Sequence, residues 1–171
     1  MHLSKKEKIA LSLGLVVLVL IFISSSMTYQ QQNIQSDLQP FWPPFTRFLN
    51  SFSFVYAGEK HSLALDGYAG YLEFILRKLA HFASYFLMGA FFYYGLRRLI
   101  KHNFFPALII WLAMTGLAAF DEYHQAITGG RTPSVHDVML DSFGAVVGIL
   151  LVGLIIFVVW RHHERKKLAE N

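Results

Sequence analysis

Two groups of polar side chains carry the residue types in this chain that could bind a ligand or transfer a proton. One group combines carboxylates with an amide and a guanidinium: Asp121, Glu122, Gln125, Arg131, Asp137 and Asp141. The other combines cations with an imidazole and a phenol: Arg77, Lys78, His81 and Tyr85. Both groups interrupt apolar stretches, where ionisable side chains are costly and therefore mark a functional-site hypothesis.

The spacing of these residues places several of them on shared helical faces. Lys78, His81 and Tyr85 follow one another at i, i+3 and i+7, so they form a single stripe. Glu122 and Gln125 are three residues apart and share a face in the same way. Each stripe predicts a polar surface directed at a neighbouring helix.

Two glycines predict which way the last carboxylate points. Asp137, Asp141, Gly144 and Gly148 lie on one helical face. The Gly144-x-x-x-Gly148 pattern permits close backbone contact with a neighbouring helix. Close contact here would carry Asp141 into the helix bundle, away from lipid. The stripes together predict one polar pocket.

Transmembrane helices are the elements that must position these residues. The chain has 171 residues, of which 54% are hydrophobic and 15% charged, whereas soluble domains are about 25% charged. Four segments approach the roughly 20 apolar residues that span a bilayer: residues 9–23, 72–96, 104–120 and 138–160. No segment alternates with the period of a strand. We predict an all-α, polytopic membrane protein with four transmembrane helices, forming a single domain over residues 1–171.

Basic residues predict the orientation of these helices. Ten of the 15 lysines and arginines lie in the N-terminal segment, in residues 97–101 and in the C-terminal tail. The positive-inside rule assigns such segments to the cytoplasm. We therefore expect a multi-pass protein of the cell membrane with both termini cytoplasmic and the polar pocket outside. The net charge of +4 then reflects topology and attraction to anionic lipids, and we expect no nucleic-acid partner.

An aromatic segment is expected at the membrane surface between the first two helices. Residues 41–45 combine aromatic side chains with two prolines, and the apolar residues of 45–52 repeat with helical spacing. Such a segment suits the headgroup level of a bilayer. We predict a short interfacial helix here, with a packed aromatic plug as the alternative, and a surface loop over residues 58–66.

The motif strings resemble those of the VanZ-like family of bacterial integral membrane proteins. Residues 77–85 are similar to the family's K-x-x-H-x-x-x-Y start, and residues 121–144 to its D-E-x-x-Q, G-R and D-V-x-x-N-x-x-G signature. The motif positions that match fall on Lys78, His81, Tyr85, Asp121, Glu122, Gln125, Gly130, Arg131, Asp137 and Gly144. Asp141 departs from the pattern, since the family usually has Asn there, and it adds a negative charge.

The resemblance covers about residues 77–150 and implies a protein of the bacterial cell envelope. The family's namesake lowers sensitivity to the glycopeptide teicoplanin without remodelling the peptidoglycan stem peptide. A link to teicoplanin-type antibiotic resistance is therefore an expectation from the resemblance. It implies a phenotype and leaves the reaction, if any, open.

Our first hypothesis is a binding protein in which the polar pocket recognises a glycopeptide, a lipid headgroup or a phosphate-bearing envelope precursor. Arginine supplies a planar fork for phosphate or carboxylate. The residues assigned to substrate binding are Lys78, Tyr85, Asp121, Gln125, Arg131 and Asp141.

The alternative hypothesis is a membrane-embedded enzyme that acts on a lipid-linked envelope molecule. His81 would be its general acid or base, because imidazole exchanges protons near neutral pH. Glu122 or Asp137 would orient His81 or hold a cation, and these three are the candidate catalytic residues. No nucleophile motif or glycine-rich phosphate loop accompanies them.

A structural role and a metal site are further alternatives. In the structural alternative, a salt-bridged belt fixes the helix ends, and His81 and Tyr85 form an interhelical hydrogen-bond pair. The belt consists of Lys78, Glu122, Arg131 and Asp137. A zinc or manganese site could draw its ligands from the histidines and carboxylates of both groups, namely His81, Asp121, Glu122, His124, His136 and Asp137. No HExxH or comparable spacing occurs, so no metal ligand is assigned.

Overall fold

The computed structural model describes residues 2–28, 30–38, 52–100, 105–129 and 133–170. These residues form mainly helices, which are α1 (Lys5–Ser25), α2 (Gln35–Leu38), α3 (Leu63–Leu96), α4 (Phe105–Gly129) and α5 (Val135–Glu170). They also form a short 3-10 helix and two strands, which are Gln30–Gln32, β1 (Ser53–Tyr56) and β2 (Glu59–Ser62). The predicted helical class is confirmed, with a strand pair that the sequence analysis does not predict.

Three helices in the described part of the chain are long and apolar enough to cross a membrane: Lys5–Ser25, Phe105–Thr128 and Val135–Leu168. This supports the predicted class of multi-pass membrane protein. Helix α3 contains the second predicted span but is not among the three. Its first half carries Glu73, Arg77 and Lys78, and the fourth span stays a prediction.

Helix α3 contacts α1, α4 and α5, and glycine permits its close approach to α5. A Cβ on Gly144 would lie 2.6 Å from the carbonyl oxygen of Phe82. A Cβ on Gly148 would collide with the carbonyl oxygen of Phe86. The predicted glycine contact is therefore confirmed. Asp141 lies on the same part of α5 and is 1% exposed, as the prediction requires.

Contacts at opposite ends of the bundle fix how the helices run. Ser4 and Glu7 form a capping box that starts α1, and Glu7 lies 3.6 Å from Arg98, just after α3 ends. At the other end of α1, the Thr128 hydroxyl near the end of α4 donates to the carbonyl oxygen of Ser25 at 3.1 Å. Because the start of α1 lies beside the end of α3, these two helices are antiparallel, and the ends of α1 and α4 lie together.

A β-hairpin lies between α2 and α3, where residues 58–66 are predicted as a surface loop. Strands β1 and β2 are antiparallel, from the Ser53–Ser62 pair to the Tyr56–Glu59 pair. Residues 57 and 58 both have positive φ, 52° and 86°, as a two-residue hairpin turn requires. The loop prediction is wrong, because strands of four residues are too short to give a clear alternating pattern.

The segment between α1 and the hairpin is described only in part. Helix α2 packs on α3, where the Gln35 side chain donates to Glu73 Oε2 at 2.7 Å. The predicted interfacial helix over residues 45–52 lies outside the described residues except for Phe52, and it stays a prediction.

On the polar side of the bundle the last two helices extend beyond their apolar segments, as the helical spacing of Glu122, Gln125 and Asp137 predicts. Helix α4 continues to Gly129 and α5 begins at Val135, beyond the apolar segments 104–120 and 138–160. The polar residues after 120 therefore occupy the last turns of α4, where their side chains find partners on other helices.

Candidate functional site

The two polar groups meet where α3, α4 and α5 come together. Lys78 Nζ on α3 forms an ion pair and hydrogen bond with Asp137 Oδ1, in the first turn of α5. The two side chains are 23% and 17% exposed, so the pair lies at the edge of the protein interior. The predicted convergence of the two strings is confirmed for these residues.

Tyr56 of the hairpin completes the surroundings of this ion pair. Its hydroxyl donates to Asp137 Oδ1 at 2.6 Å. The Lys78 ammonium lies 5.0 Å from the centre of the Tyr56 ring and 5.3 Å from that of Phe74, within the range of cation–π attraction. Burial raises the pKa of the Tyr56 hydroxyl, and the bond to Asp137 raises it further. The hydroxyl therefore remains a donor at neutral pH.

His81 lies deeper, between two carboxylates. Its Nδ1 is 3.4 Å from Asp141 Oδ2 and 3.9 Å from Asp121 Oδ2. Asp141 is almost fully buried, and neither of its oxygens accepts a hydrogen bond from the described residues. The carboxylates that lie nearest the imidazole are thus Asp141 and Asp121 and not the expected Glu122 or Asp137, and the catalytic roles stay predictions. Helix rotation brings Asp121 and Asp141 to the imidazole, which periodicity alone does not specify.

The polar residues of α4 contact different parts of the bundle. Gln125 Nε2 donates to Asp121 Oδ2 at 2.7 Å and lies 3.4 Å from Ser25 Oγ of α1. Glu122 accepts a hydrogen bond from the backbone N–H of Ser134 at 2.9 Å. A carboxylate at this position stabilises the N-terminus of a helix, so Glu122 helps to fix the start of α5.

A cavity of about 130 Å³ lies among these side chains. Its lining defines what we call the polar site: Phe74, Arg77, Lys78, His81, Glu122, Gln125 and Asp137. A second cavity, of about 540 Å³, adjoins it at Lys78 and Asp137 and reaches the hairpin and the start of α5. The combined space is within the size range of small-molecule sites.

Among the described residues assigned to substrate binding, Lys78 and Gln125 line the polar site, and Tyr85, Asp121 and Asp141 do not. Arg131 lies outside the described residues. Tyr85 is 1% exposed and packs in the apolar core with Met88 and Ile110. Tyr56 contacts Asp137 of the site, although it belongs to none of the predicted polar stripes. It follows the aromatic residues 41–52 in the chain, and that position does not single it out.

The residues considered for a metal site have other contacts. Among the described residues, no group of three or more His, Asp and Glu side chains is placed to hold a metal ion. The His124 ring stacks on Phe22 with 4.8 Å between centroids. The His136 ring lies 5.9 Å from the Tyr56 ring.

Fold and site together define a multi-pass helical membrane protein with an ion-paired polar site at one end of its bundle. The family model described as VanZ/LLP1 matches residues 10–157. The chain therefore belongs to the VanZ family, and the resemblance of its motif strings is confirmed. Neither the curated proteins nor the solved structures contain a match to this chain.

Proposed function

We propose that this protein is a binding protein of the bacterial cell envelope. Its polar site would face outward and bind a glycopeptide, a lipid headgroup or a phosphate-bearing envelope precursor. The observation that carries the proposal is the half-buried Lys78–Asp137 pair at the junction of two cavities. A link to teicoplanin resistance would follow if a glycopeptide is the ligand.

The ion pair supports binding because each partner can be exchanged for a ligand group of the same charge. A phosphate or carboxylate would take the place of Asp137 beside Lys78. The Tyr56 and Phe74 rings would keep the ammonium in position. The site therefore offers one positive and one negative side chain to a polar ligand. Charge complementarity of this kind favours specific binding.

Contacts at the bundle ends support four spans with both termini on one side of the membrane, and the basic residues at that end favour the cytoplasmic side. The Lys78–Asp137 pair joins the first half of α3 to the start of α5, so these helices run in the same direction. The Glu7–Arg98 contact joins the start of α1 to the end of α3. The two chain termini then belong to one end of the bundle and the polar site to the other.

The length of α3 also supports its role as a span. Gly67 interrupts the helix with φ 68°, and residues 68–96 continue for about 44 Å at 1.5 Å per residue. The hydrocarbon core of a bilayer is about 30 Å thick. Its charged first turns would lie at the outer headgroups, and Arg97 and Arg98 at the inner ones.

The enzyme alternative has one observation in its favour, which is His81 between Asp121 and Asp141. A carboxylate beside an imidazole is an arrangement that general acid–base catalysis uses. His81→Asn keeps hydrogen bonding but removes proton exchange. An enzyme would lose turnover with near-normal ligand binding, whereas a binding protein would lose only a modest part of its affinity.

The test is ligand binding by protein reconstituted in lipid nanodiscs, with teicoplanin and glycerol 1-phosphate as separate probes. Lys78→Gln should weaken binding of the recognised probe about tenfold, or roughly 1.4 kcal/mol. Lys60→Gln is the matched control, because Lys60 is exposed on β2 and makes the same change of charge. Sensitivity of expressing cells to teicoplanin is measured beside it.

Absence of binding for both probes would contradict the proposal, as would equal binding by the Lys78 and Lys60 variants. A purely structural belt predicts a different pattern. There, folded Lys78→Gln protein would bind no less probe than the parent, and any change in cell phenotype would follow protein stability and abundance alone.

A further inference from the structure

An apolar pocket of about 550 Å³ adjoins the polar site and lies outside the function proposed above. Helices α3 and α5 and strand β1 form its walls, mainly through Phe54, Phe74, Ile75, Leu79, Phe82 and Leu140. Among the described lining residues, Lys78 alone carries a charge. A pocket of this size and character matches the apolar part of a small-molecule site.

Strand β1 of the hairpin forms one wall of this pocket. Phe54 on β1 contacts Tyr71 and Phe74 of α3, with ring centroids 5.9 and 6.0 Å apart. The Tyr56 hydroxyl holds the same strand to Asp137 at 2.6 Å. Strand β1 is thus held to both α3 and α5 beside the pocket.

The pocket continues toward the part of α3 that would face hydrocarbon. Ile75, Leu79 and Phe82 follow at i, i+4 and i+7, so they line one side of the helix. Leu79 lines the pocket and is 56% exposed. An exposed leucine at the pocket's edge is what a lateral opening to lipid requires.

Lys78 links the apolar pocket to the polar cavities. It lines the apolar pocket, the polar site and the 540 Å³ cavity, as does Phe74. Glu59 and Asp137 also line the larger polar cavity, together with His61, His136 and the start of α5. The Lys78 ammonium and the positive end of the α5 dipole favour an anion there, which would replace Asp137 as the partner of Lys78.

We propose that the apolar pocket holds a hydrocarbon chain of a membrane phospholipid whose anionic headgroup lies beside Lys78. This inference rests on the proposed binding function and identifies its ligand as an amphiphile drawn from the bilayer. The acyl chain would leave the surrounding lipid and pack against the aromatic side chains of the pocket. The headgroup phosphate would exchange places with the Asp137 carboxylate as the partner of Lys78.

The experiment uses phosphatidylglycerol with a photoreactive diazirine on one acyl chain, diluted into phosphatidylcholine nanodiscs that contain the full chain. Cross-links mapped by mass spectrometry should concentrate on peptides with Ile75, Leu79 and Leu140, and should saturate at one lipid per protein. A diazirine diacylglycerol, which lacks the phosphate, should label these peptides about tenfold less at the same mole fraction.

Two tryptophan variants test whether the labelling depends on the pocket, one at its wall and one outside it as the control. Leu79→Trp introduces an indole at the pocket wall and should reduce saturable labelling about tenfold. Leu76→Trp makes the same change on α3 at a residue that is 40% exposed and does not line the pocket, and its labelling should equal that of the parent. Both sites are exposed, so both variants should keep the parent melting temperature.

Labelling that rises in proportion to lipid mole fraction, equally in both variants, would overturn the inference, because it would reflect bulk bilayer only. Equal saturation by diacylglycerol would overturn the assignment of an anionic head. Binding of teicoplanin or glycerol 1-phosphate to the same nanodiscs, measured in parallel, reports separately on the proposed function. That function can therefore survive failure of the lipid assignment.

Discussion

Lys78 Nζ and Asp137 Oδ1 form an ion pair that joins the first half of α3 to the first turn of α5. The same carboxylate oxygen accepts the hydrogen bond from Tyr56 of the hairpin at 2.6 Å. One atom therefore connects two helices and a strand that are distant in sequence. It also holds the ammonium group at the point where the polar and apolar cavities meet.

A double-mutant cycle with Lys78→Gln and Asp137→Asn should show coupling between these residues. Each single change should cost about 1–3 kcal/mol of stability, since it leaves a half-buried charge without its partner. The double variant should cost less than the sum. Unfolding in mixed micelles measures the three free energies, with Lys60→Gln as the unaffected control. Strict additivity would show that the pair contributes no interaction energy.

Tyr56→Phe should loosen the hairpin while leaving the helices intact. Loss of one hydrogen bond to a carboxylate should cost about 1.5–3 kcal/mol, seen as faster hydrogen exchange over residues 53–62. Tyr123→Phe is the control, because Tyr123 is 63% exposed. Unchanged exchange in Tyr56→Phe would show that the hairpin is held by its aromatic contacts alone.

The contribution of Tyr56 should depend on pH only under alkaline conditions. Its pKa in the folded protein is raised by burial, so its stabilising effect is fully present below the ordinary tyrosine pKa of about 10. The effect is lost as pH rises above that value. The difference in exchange between Tyr56→Phe and the parent should therefore be the same at about pH 6 and about pH 9. A difference that shrinks within this interval would contradict the assignment.

Gly148→Ala should destabilise the bundle, whereas Gly153→Ala should not. A Cβ at Gly148 collides with the carbonyl oxygen of Phe86, but one at Gly153 meets only Tyr93 side-chain atoms at 3.8 Å. Overpacking against backbone costs about 1–3 kcal/mol, and both changes alter helix propensity equally. Melting temperatures in detergent provide the comparison. Equal values would contradict close α3–α5 packing.

Periodicity is sufficient to predict the helices and the faces that meet. The glycines at 144 and 148 and the burial of Asp141 follow from spacing, because a helical face is a local property. The partners of His81 do not follow, since they depend on how neighbouring helices are rotated. The hairpin is not predicted because its strands are only four residues long. Its turn contains Ala57, and alanine rarely adopts the positive φ that this turn requires.

Both termini should be accessible only from the cytoplasm. The chain has no cysteine, so single cysteines can be introduced without background at residues 4, 31, 128 and 169. An impermeant thiol reagent on whole cells should label the variants of Gln31 and Thr128, and those of Ser4 and Ala169 only after lysis. The reverse pattern would contradict the outward orientation of the polar site.

The central claim is that the polar site holds part of an envelope molecule. A structure determined in lipid, with an antibody fragment bound for size, tests it most directly. The claim predicts density for a headgroup or glycopeptide group within about 4 Å of Lys78 Nζ, the range over which opposite charges interact strongly. A closed Lys78–Asp137 pair, with only protein side chains around His81 and no ligand density, would contradict it and indicate a structural belt.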